Sequence, residues 1–273
     1  MATSPSNGLL SDGLALAGIN VSLWLVSLAL GKTWPVDFIW SMWPPLHCAR
    51  IVSRSTHGCG ARQAVVCALV AAWGLRLTLN FVSRGGIGGE DWRYVAMRSQ
   101  FGAHFWWISL FSVFIGQSVF MFTACLPLYG ALLSSAAMPQ RADVLGTCVC
   151  VAGILLELFA DKQMDAFQAA KRRQKTDAVV LDRGLWLRSR HPNYAGEILW
   201  WWGAWILSTS SDAPAWVLAG PCGITLLINL VSIPLLEERQ LLNKGDKYRA
   251  YQRRVPSSLV PIPRFVSEML EPR

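Results

Sequence analysis

The feature that most constrains this chain is a long uncharged run. Residues 105–140 contain no Asp, Glu, Lys or Arg. The run exceeds the roughly 20 apolar residues that an α-helix needs to cross the hydrocarbon core of a bilayer. Charged residues make up only 15% of the chain, whereas a soluble domain carries about a quarter. The sequence therefore predicts an all-α, polytopic membrane protein.

Apolar segments along the chain predict about seven transmembrane helices in a single membrane domain that covers residues 1–273. Pro44 and Pro45 interrupt the second segment, which makes it the least regular of the seven. The uncharged stretch 127–140 offers an alternative segment that dips back into the membrane. The predicted spans are residues 13–31, 35–52, 64–83, 105–126, 143–160, 193–208 and 214–236.

The basic residues indicate orientation, because cytosolic loops of membrane proteins carry an excess of Lys and Arg. With seven spans, the loops 84–104 and 161–192 share one face with the C-terminal tail 237–273. Together with Lys32, that face holds 20 of the 25 Lys and Arg residues. We expect a cytosolic C-terminus and an external or lumenal N-terminal tail, residues 1–12. The membrane would be the endoplasmic reticulum in a eukaryote or the inner membrane in a bacterium.

The net charge of +8 raises the question of nucleic-acid binding. The basic residues lie beside acidic ones in short segments between apolar runs, which suits contact with anionic membrane lipids. We therefore expect membrane lipids, and no nucleic acid, as partners. The seven cysteines form no CxxC pair and lie mostly in apolar runs, so we expect buried free thiols and no metal site.

Ionisable residues inside predicted spans include Arg76 and Asp37, and charge at such positions is costly and usually faces a cavity, a partner or a substrate path. Arg76 in the third span could snorkel to the membrane surface or lie buried and paired. Asp37 in the second span could cap its helix or take part in a site.

The strongest local signal is the segment 184–203, in which basic residues lead into an apolar helix. Asn193 and Glu197 are one turn apart, so they lie on the same helix face. Arg190 and His191 come directly before this helix, and a basic cluster at a helix N-terminus is suited to binding phosphate. The segment therefore predicts a polar site that continues into the membrane.

Two further segments carry polar residues at helical spacing. The fifth predicted helix ends with Glu157 and Asp161 on one face. The segment 236–256 predicts an amphipathic helix, which could lie on the membrane surface. Tyr248 and Tyr251 lie on one face of that helix and could instead form a lid over a cofactor.

Together these segments resemble the steroid 5-alpha-reductase superfamily, in its broad and poorly characterised branch. The resemblance covers most of the chain and rests on three motifs. They are Arg190-His-Pro-Asn-Tyr194-x-Gly-Glu197, the Asp161/Gln163/Phe167 segment, and Glu238 with Tyr248 and Tyr251 in the tail. Isoprenylcysteine and phospholipid methyltransferases share the Arg-His-Pro-x-Tyr core, whereas Asn193 and Glu197 favour the NADPH-dependent reductases.

The resemblance implies a seven-helix membrane domain that binds NADPH from the cytosolic side. Its catalytic residues would be Asp37, Arg76 and Glu197. Trp73 stands where steroid reductases place a catalytic tyrosine, which disfavours steroid enone reduction and leaves NADPH binding untouched. The residues that the resemblance assigns to the cofactor are Asp161, Trp186, Arg190, His191, Asn193, Tyr194, Glu197, Glu238, Tyr248 and Tyr251.

Three functions are compatible with these observations. The first is an NADPH-dependent oxidoreductase acting on CH–CH groups, which reduces a carbon–carbon double bond in a lipid or steroid-like substrate. The second is an S-adenosylmethionine-dependent methyltransferase that acts on a membrane lipid or a prenylated cysteine. The third is a non-catalytic, lipid-binding membrane protein, which the absence of the family tyrosine at Trp73 keeps open.

Overall fold

A computed structural model describes residues 5–56, 60–210 and 213–259. All regular secondary structure in these ranges is helical. The α-helices are α1 (Pro5–Leu30), α2 (Trp34–Arg54), α3 (Gly60–Ser83), α4 (Trp92–Phe101), α5 (Phe105–Ser109), α6 (Gly116–Ala124), α7 (Leu126–Leu133), α8 (Arg141–Arg172), α9 (Pro192–Ser208), α10 (Ala219–Leu227), α11 (Ile233–Lys244) and α12 (Asp246–Arg254). Short 3-10 helices (Gly102–His104, Gly184–Leu187, Ala215–Leu218) and π-helical turns (Leu110–Ile115, Ile228–Ser232) complete the set.

Five helical stretches among the described residues are long and apolar enough to cross a membrane. They are Gly8–Leu30, Gly60–Ser83, Trp92–Leu133, Arg141–Arg172 and Ala215–Lys244. The other two predicted spans coincide with α2 and α9. Helix α9 has 17 residues and is therefore about 25 Å long, short of a hydrocarbon core of roughly 30 Å. The chain is an all-α, polytopic membrane protein, and the number seven stays a prediction.

The structure shows the second predicted span as one continuous helix, and it differs from the prediction in the fourth span and in the tail. Helix α2 continues through Pro44 and Pro45, because burial of its face, which includes Trp43, offsets the lost backbone hydrogen bonds. The predicted span 105–126 is part of the longer helical stretch Trp92–Leu133, in which a π-helical turn inserts. The single helix predicted for the tail is wrong, because α11 and α12 are separated at Gly245.

The described residues form two compact units. The first comprises the described parts of 1–147 and 203–223, and the second comprises those of 148–202 and 224–273. The single membrane domain over residues 1–273 stays a prediction.

In the first unit, aromatic side chains from several helices form the core. Trp24, Tyr94, Phe105 and Phe114 pack together, and the indole of Trp24 donates a hydrogen bond to the carbonyl of Trp106 at 3.0 Å. In the second unit, one cluster joins Ala160, Phe167, Leu181 and Trp186, and another joins Tyr248, Tyr251 and Val255. These two clusters hold the segments that carry the predicted cofactor residues.

Candidate functional site

The base of the candidate site is the close packing of α8 against α9 within the second unit. A Cβ atom at Gly196 would lie 2.5 Å from Cγ of Glu157 and 2.8 Å from the carbonyl oxygen of Gly153. Only glycine permits this separation of the two helices. The contact buries Glu157, while the predicted site residue Asp161, one turn further along α8, is 7% exposed.

The polar face of α9 has the arrangement that its spacing predicts. The indole of Trp201 donates a hydrogen bond to Oε1 of Glu197 at 2.9 Å, one turn along the helix. Asn193 lies one turn before Glu197 and is half-buried. The side-chain amide of Asn193 makes no hydrogen bond within the part of the chain that the structure describes. That amide is therefore open to a ligand.

The Arg190-His191 pair is held by a carboxylate of α11. Nε of Arg190 donates to Oε1 of Glu237 at 2.7 Å, and Nε2 of His191 lies 2.8 Å from the same oxygen. Nη1 of Arg190 also donates to the carbonyls of Val255 and Pro256, at 2.8 and 2.7 Å. In this arrangement Arg190 ties the C-terminal tail to the start of α9.

The acid in this cluster is Glu237, a residue to which the sequence assigned no role. Glu238, which the resemblance assigns to the cofactor, is exposed. The signal that distinguishes them is helix phase, because Ile233 is buried and Glu237 lies one turn after it on the same face. The cofactor role of Glu238 stays a prediction.

The polypeptide after α12 pairs with the segment that precedes α9. The backbone N–H groups of Arg190 and His191 donate to the carbonyls of Ser257 and Ser258, both at 3.0 Å. The hydroxyl of Ser189 donates to the carbonyl of Ser258 at 3.1 Å. The ring of His191 stacks on Tyr194, with centroids 5.6 Å apart. The tail and the Arg190-His191 pair are therefore one structural assembly.

Trp186 and the two tail tyrosines are buried. The hydroxyl of Tyr251 donates to the carbonyl of Trp186 at 2.6 Å, and the indole of Trp186 donates to the carbonyl of Ala160 at 3.1 Å. Burial raises the pKa of Tyr248 and of Tyr251 above the ordinary phenol value, so both stay neutral at physiological pH. Trp186 and Tyr251 thus connect α8, the 3-10 turn and α12.

A cavity of about 450 Å³ opens beside this core. Its lining residues come from α8 and from the loop before α9: Gln163, Ala166, Phe167, Leu181, Arg183 and Gly184. Oε1 of Gln163 accepts a hydrogen bond from the backbone N–H of Leu185 at 2.9 Å. Gly184 has φ +63°, and a Cβ atom there would lie 2.5 Å from Oε1 of Gln163. The turn that lines this side of the cavity therefore requires glycine at position 184.

The first unit holds the other predicted catalytic residues. The hydroxyl of Tyr94 donates to Oδ1 of Asp37 at 2.8 Å and accepts from Nε2 of Gln117 at 2.9 Å. The carboxylate of Asp37 on α2 is thus hydrogen-bonded to a side chain of α4. Arg76 is half-buried on α3, and Trp73, one turn earlier, is fully buried.

The two units therefore divide the predicted site residues. All ten predicted cofactor-binding residues, including Glu197, belong to the second unit, whereas Asp37 and Arg76 belong to the first. Among the described residues, no group of three or more His, Cys, Asp and Glu side chains could hold a metal ion.

Comparison with known proteins adds two matches. The family model described as "Protein of unknown function (DUF1295)" matches residues 23–255. "Uncharacterized protein C594.04c" of Schizosaccharomyces pombe is 26% identical over 258 residues, which cover 85% of this chain and 74% of that protein. No solved structure matches the chain. Neither description names an activity, so arguments about function start from the site.

Proposed function

The chain belongs to the DUF1295 family, and we propose that it is an NADPH-dependent membrane reductase of a carbon–carbon double bond in a lipid or steroid-like substrate. One observation carries the proposal. The residues that resemble the cofactor motifs of the steroid 5-alpha-reductase superfamily all lie in one compact unit, and two of them, Gln163 and Phe167, line an open cavity of about 450 Å³ in that unit. Pockets for small ligands and cofactors usually measure about 300–1,000 Å³.

The cavity offers the chemistry that part of a phosphorylated dinucleotide requires. Arg183 brings a guanidinium, which binds phosphate through charge-assisted hydrogen bonds. Phe167 and Leu181 supply an apolar wall for a nucleoside. The amide oxygen of Gln163 accepts the hydrogen bond from the backbone of Leu185 and so fixes the turn at Gly184 that lines the cavity. We assign this cavity to the nucleotide portion of NADPH.

The polar face of α9 suits the nicotinamide end. The amide of Asn193 can both donate and accept, as can the carboxamide of nicotinamide. Glu197, fixed by the indole of Trp201 at 2.9 Å, adds an acceptor one turn deeper in the membrane. Burying an amide in an apolar span without a hydrogen-bond partner is costly, so we expect a polar ligand on the side chain of Asn193.

Reduction of a double bond needs a proton as well as the hydride that NADPH supplies when it is bound. We propose that Asp37, to which the resemblance assigns a catalytic role, supplies this proton. The hydroxyl of Tyr94 donates to the carboxylate of Asp37 and accepts from the amide of Gln117. A proton shared between the phenol oxygen of Tyr94 and the carboxylate of Asp37 therefore stays within one hydrogen-bonded chain. Arg76 is proposed to hold the negative charge that develops on a conjugated carbonyl of the substrate.

The first test compares cofactors on the purified full-length chain in detergent. Titration calorimetry with NADPH, NADH and S-adenosylmethionine is expected to show binding of NADPH and none of S-adenosylmethionine. The alternative methyltransferase function keeps the Arg190-His191 motif but requires the opposite preference. Binding of S-adenosylmethionine alone would therefore overturn the reductase proposal, and binding of none of the three would favour a non-catalytic lipid-binding protein.

The second test uses three variants. Asn193→Ala removes no hydrogen bond of the described chain, so we expect an unchanged melting temperature and an NADPH affinity reduced about tenfold. Glu197→Ala should also lose affinity, on the fraction that remains monodisperse. Trp202→Phe is the matched control, because Trp202 lies about 180° around α9 from Asn193 and donates to Thr225 at 3.1 Å. Wild-type affinity in both alanine variants would make the pair structural.

A further inference from the structure

A second site lies in the first unit, where a groove of about 440 Å³ runs between α1 and α2. Ala15 and Ile19 form its α1 side, one turn apart on the same face. On the α2 side the lining residues are Trp43, Leu46, Ala49, Arg50 and Ser53. Apart from Arg50 and Ser53, which lie at one end, the wall is apolar.

The groove is open along its side, and its two ends differ in polarity and burial. Leu46 is 45% exposed and Ala49 is also exposed, whereas Trp43 at the other end is fully buried. Ten residues separate Trp43 from Ser53, which is about 15 Å along the helix axis. Because Arg50 and Ser53 lie in the last turns of α2, the polar end of the groove coincides with the end of a predicted span.

The polar end carries an excess of positive charge. Arg50 donates through Nε to Oδ1 of Asp12 at 2.8 Å, and Arg54 forms an ion pair with the other carboxylate oxygen. The hydroxyl of Tyr129 also donates to Asp12, at 2.6 Å. Two guanidinium groups therefore face one carboxylate, which leaves one positive charge without a counterion in this cluster.

Arg50 is the member of the cluster that can bind an anion. The only hydrogen bond that its guanidinium makes within the described ranges uses Nε, so the remaining guanidinium donors are available. Its side chain is 41% exposed, whereas that of Asp12 is fully buried. Arg54, by contrast, also donates to the hydroxyl of Ser11 at 2.8 Å. The groove thus combines an apolar trough with one accessible guanidinium at its outer end.

We propose that this α1–α2 groove binds a membrane phospholipid, with the lipid phosphate on Arg50 and one acyl chain along the apolar wall toward Trp43. A guanidinium binds phosphate through two parallel hydrogen bonds, and phosphate is the anion that phospholipid headgroups share. The sideways opening lets an acyl chain enter directly from the bilayer. The site takes no residue from the proposed cofactor set, so it stands whether or not the chain is a reductase.

The test is native mass spectrometry of the delipidated full-length chain in detergent. Phosphatidylglycerol and diacylglycerol with the same acyl chains are the two probes. We expect phosphatidylglycerol to bind about tenfold more tightly, as a charge-assisted hydrogen bond predicts. Inorganic phosphate is the competitor, and it is expected to leave the bound lipid in place. Displacement by inorganic phosphate would show an anion site in place of a lipid groove and overturn the proposal.

Three variants locate the site. Arg50→Gln should abolish the preference for phosphatidylglycerol, while Asp12 stays bonded to Arg54 and the fold is kept. Arg141→Gln removes one exposed charge on the same predicted membrane face and should leave the preference unchanged. Ala49→Phe fills the groove at an exposed position and should weaken the binding of both lipids. Equal effects of Arg50→Gln and Arg141→Gln, or wild-type lipid binding in Ala49→Phe, would refute the assignment.

Discussion

Replacing Glu237 with glutamine is expected to release the C-terminal tail from the start of α9. The carboxylate of Glu237 lies 2.7 Å from Nε of Arg190 and 2.8 Å from Nε2 of His191. Glutamine has nearly the same shape but carries no charge. The substitution therefore removes the counter-charge of a guanidinium whose side chain is only 12% exposed, and it leaves the packing of α11 unchanged.

The size of the effect follows from the burial of the pair. Removing one partner of a fully buried ion pair costs about 3–5 kcal/mol. Here the side chains of Arg190 and Glu237 keep 12% and 14% of their exposure, so water screens part of the interaction. The carbonyls of Val255 and Pro256 also still accept from Arg190. We expect the attached state of the tail to lose roughly 2 kcal/mol of stability. This corresponds to a roughly thirtyfold larger population of the detached state.

Limited trypsin digestion in detergent measures this detachment. Arg253 and Arg254 are exposed cleavage sites at the end of α12. When opening is fast relative to cleavage, the rate of cleavage follows the population of the open state. Glu238→Gln is the matched control, because Glu238 is exposed and forms no ion pair with any described residue. Unchanged cleavage in Glu237→Gln, or an equal increase in Glu238→Gln, would refute the reasoning.

Three other predictions concern stability and orientation. Arg62→Met should destabilise the chain by about 3 kcal/mol, because Arg62 and Asp143 are fully buried and their Nε and Oδ1 atoms are 2.7 Å apart. Adding Asp143→Leu should recover most of the lost free energy of unfolding, and an absence of recovery would contradict this reasoning. Gly184→Val should cost about 1–2 kcal/mol, since φ is +63° and the new Cβ would meet Gln163; wild-type thermal unfolding would count against it. Lys247→Cys, in a variant without native cysteines, should react with an impermeant maleimide from the cytosolic side, and labelling from the opposite side alone would reverse the predicted topology.

The parts of the site that could be predicted from the sequence depend on local spacing. Positions one turn apart share a helix face whatever the rest of the chain does, so Glu197 and Trp201 meet as expected. The choice between Glu237 and Glu238 depends on which face of α11 is buried. The helix phase distinguishes the two adjacent acids only once the structure shows that Ile233 lies on the buried face. The hydrogen bonds from Arg190 to the carbonyls of Val255 and Pro256 could not be predicted either, because backbone acceptors have no sequence signature.

For the fold, composition by itself determined that the chain is helical and membrane-spanning. Without water in the bilayer core, each backbone N–H and C=O must bond within its own segment, and long uncharged runs leave helices as the solution. Only the tertiary structure decided where helices continue and where they end. Helix α2 passes through Pro44 and Pro45 because its buried face is packed, and the tail breaks at Gly245 so that Tyr251 reaches the carbonyl of Trp186. These outcomes depend on contacts between residues far apart in the chain, and propensity, which is a local property, does not contain them.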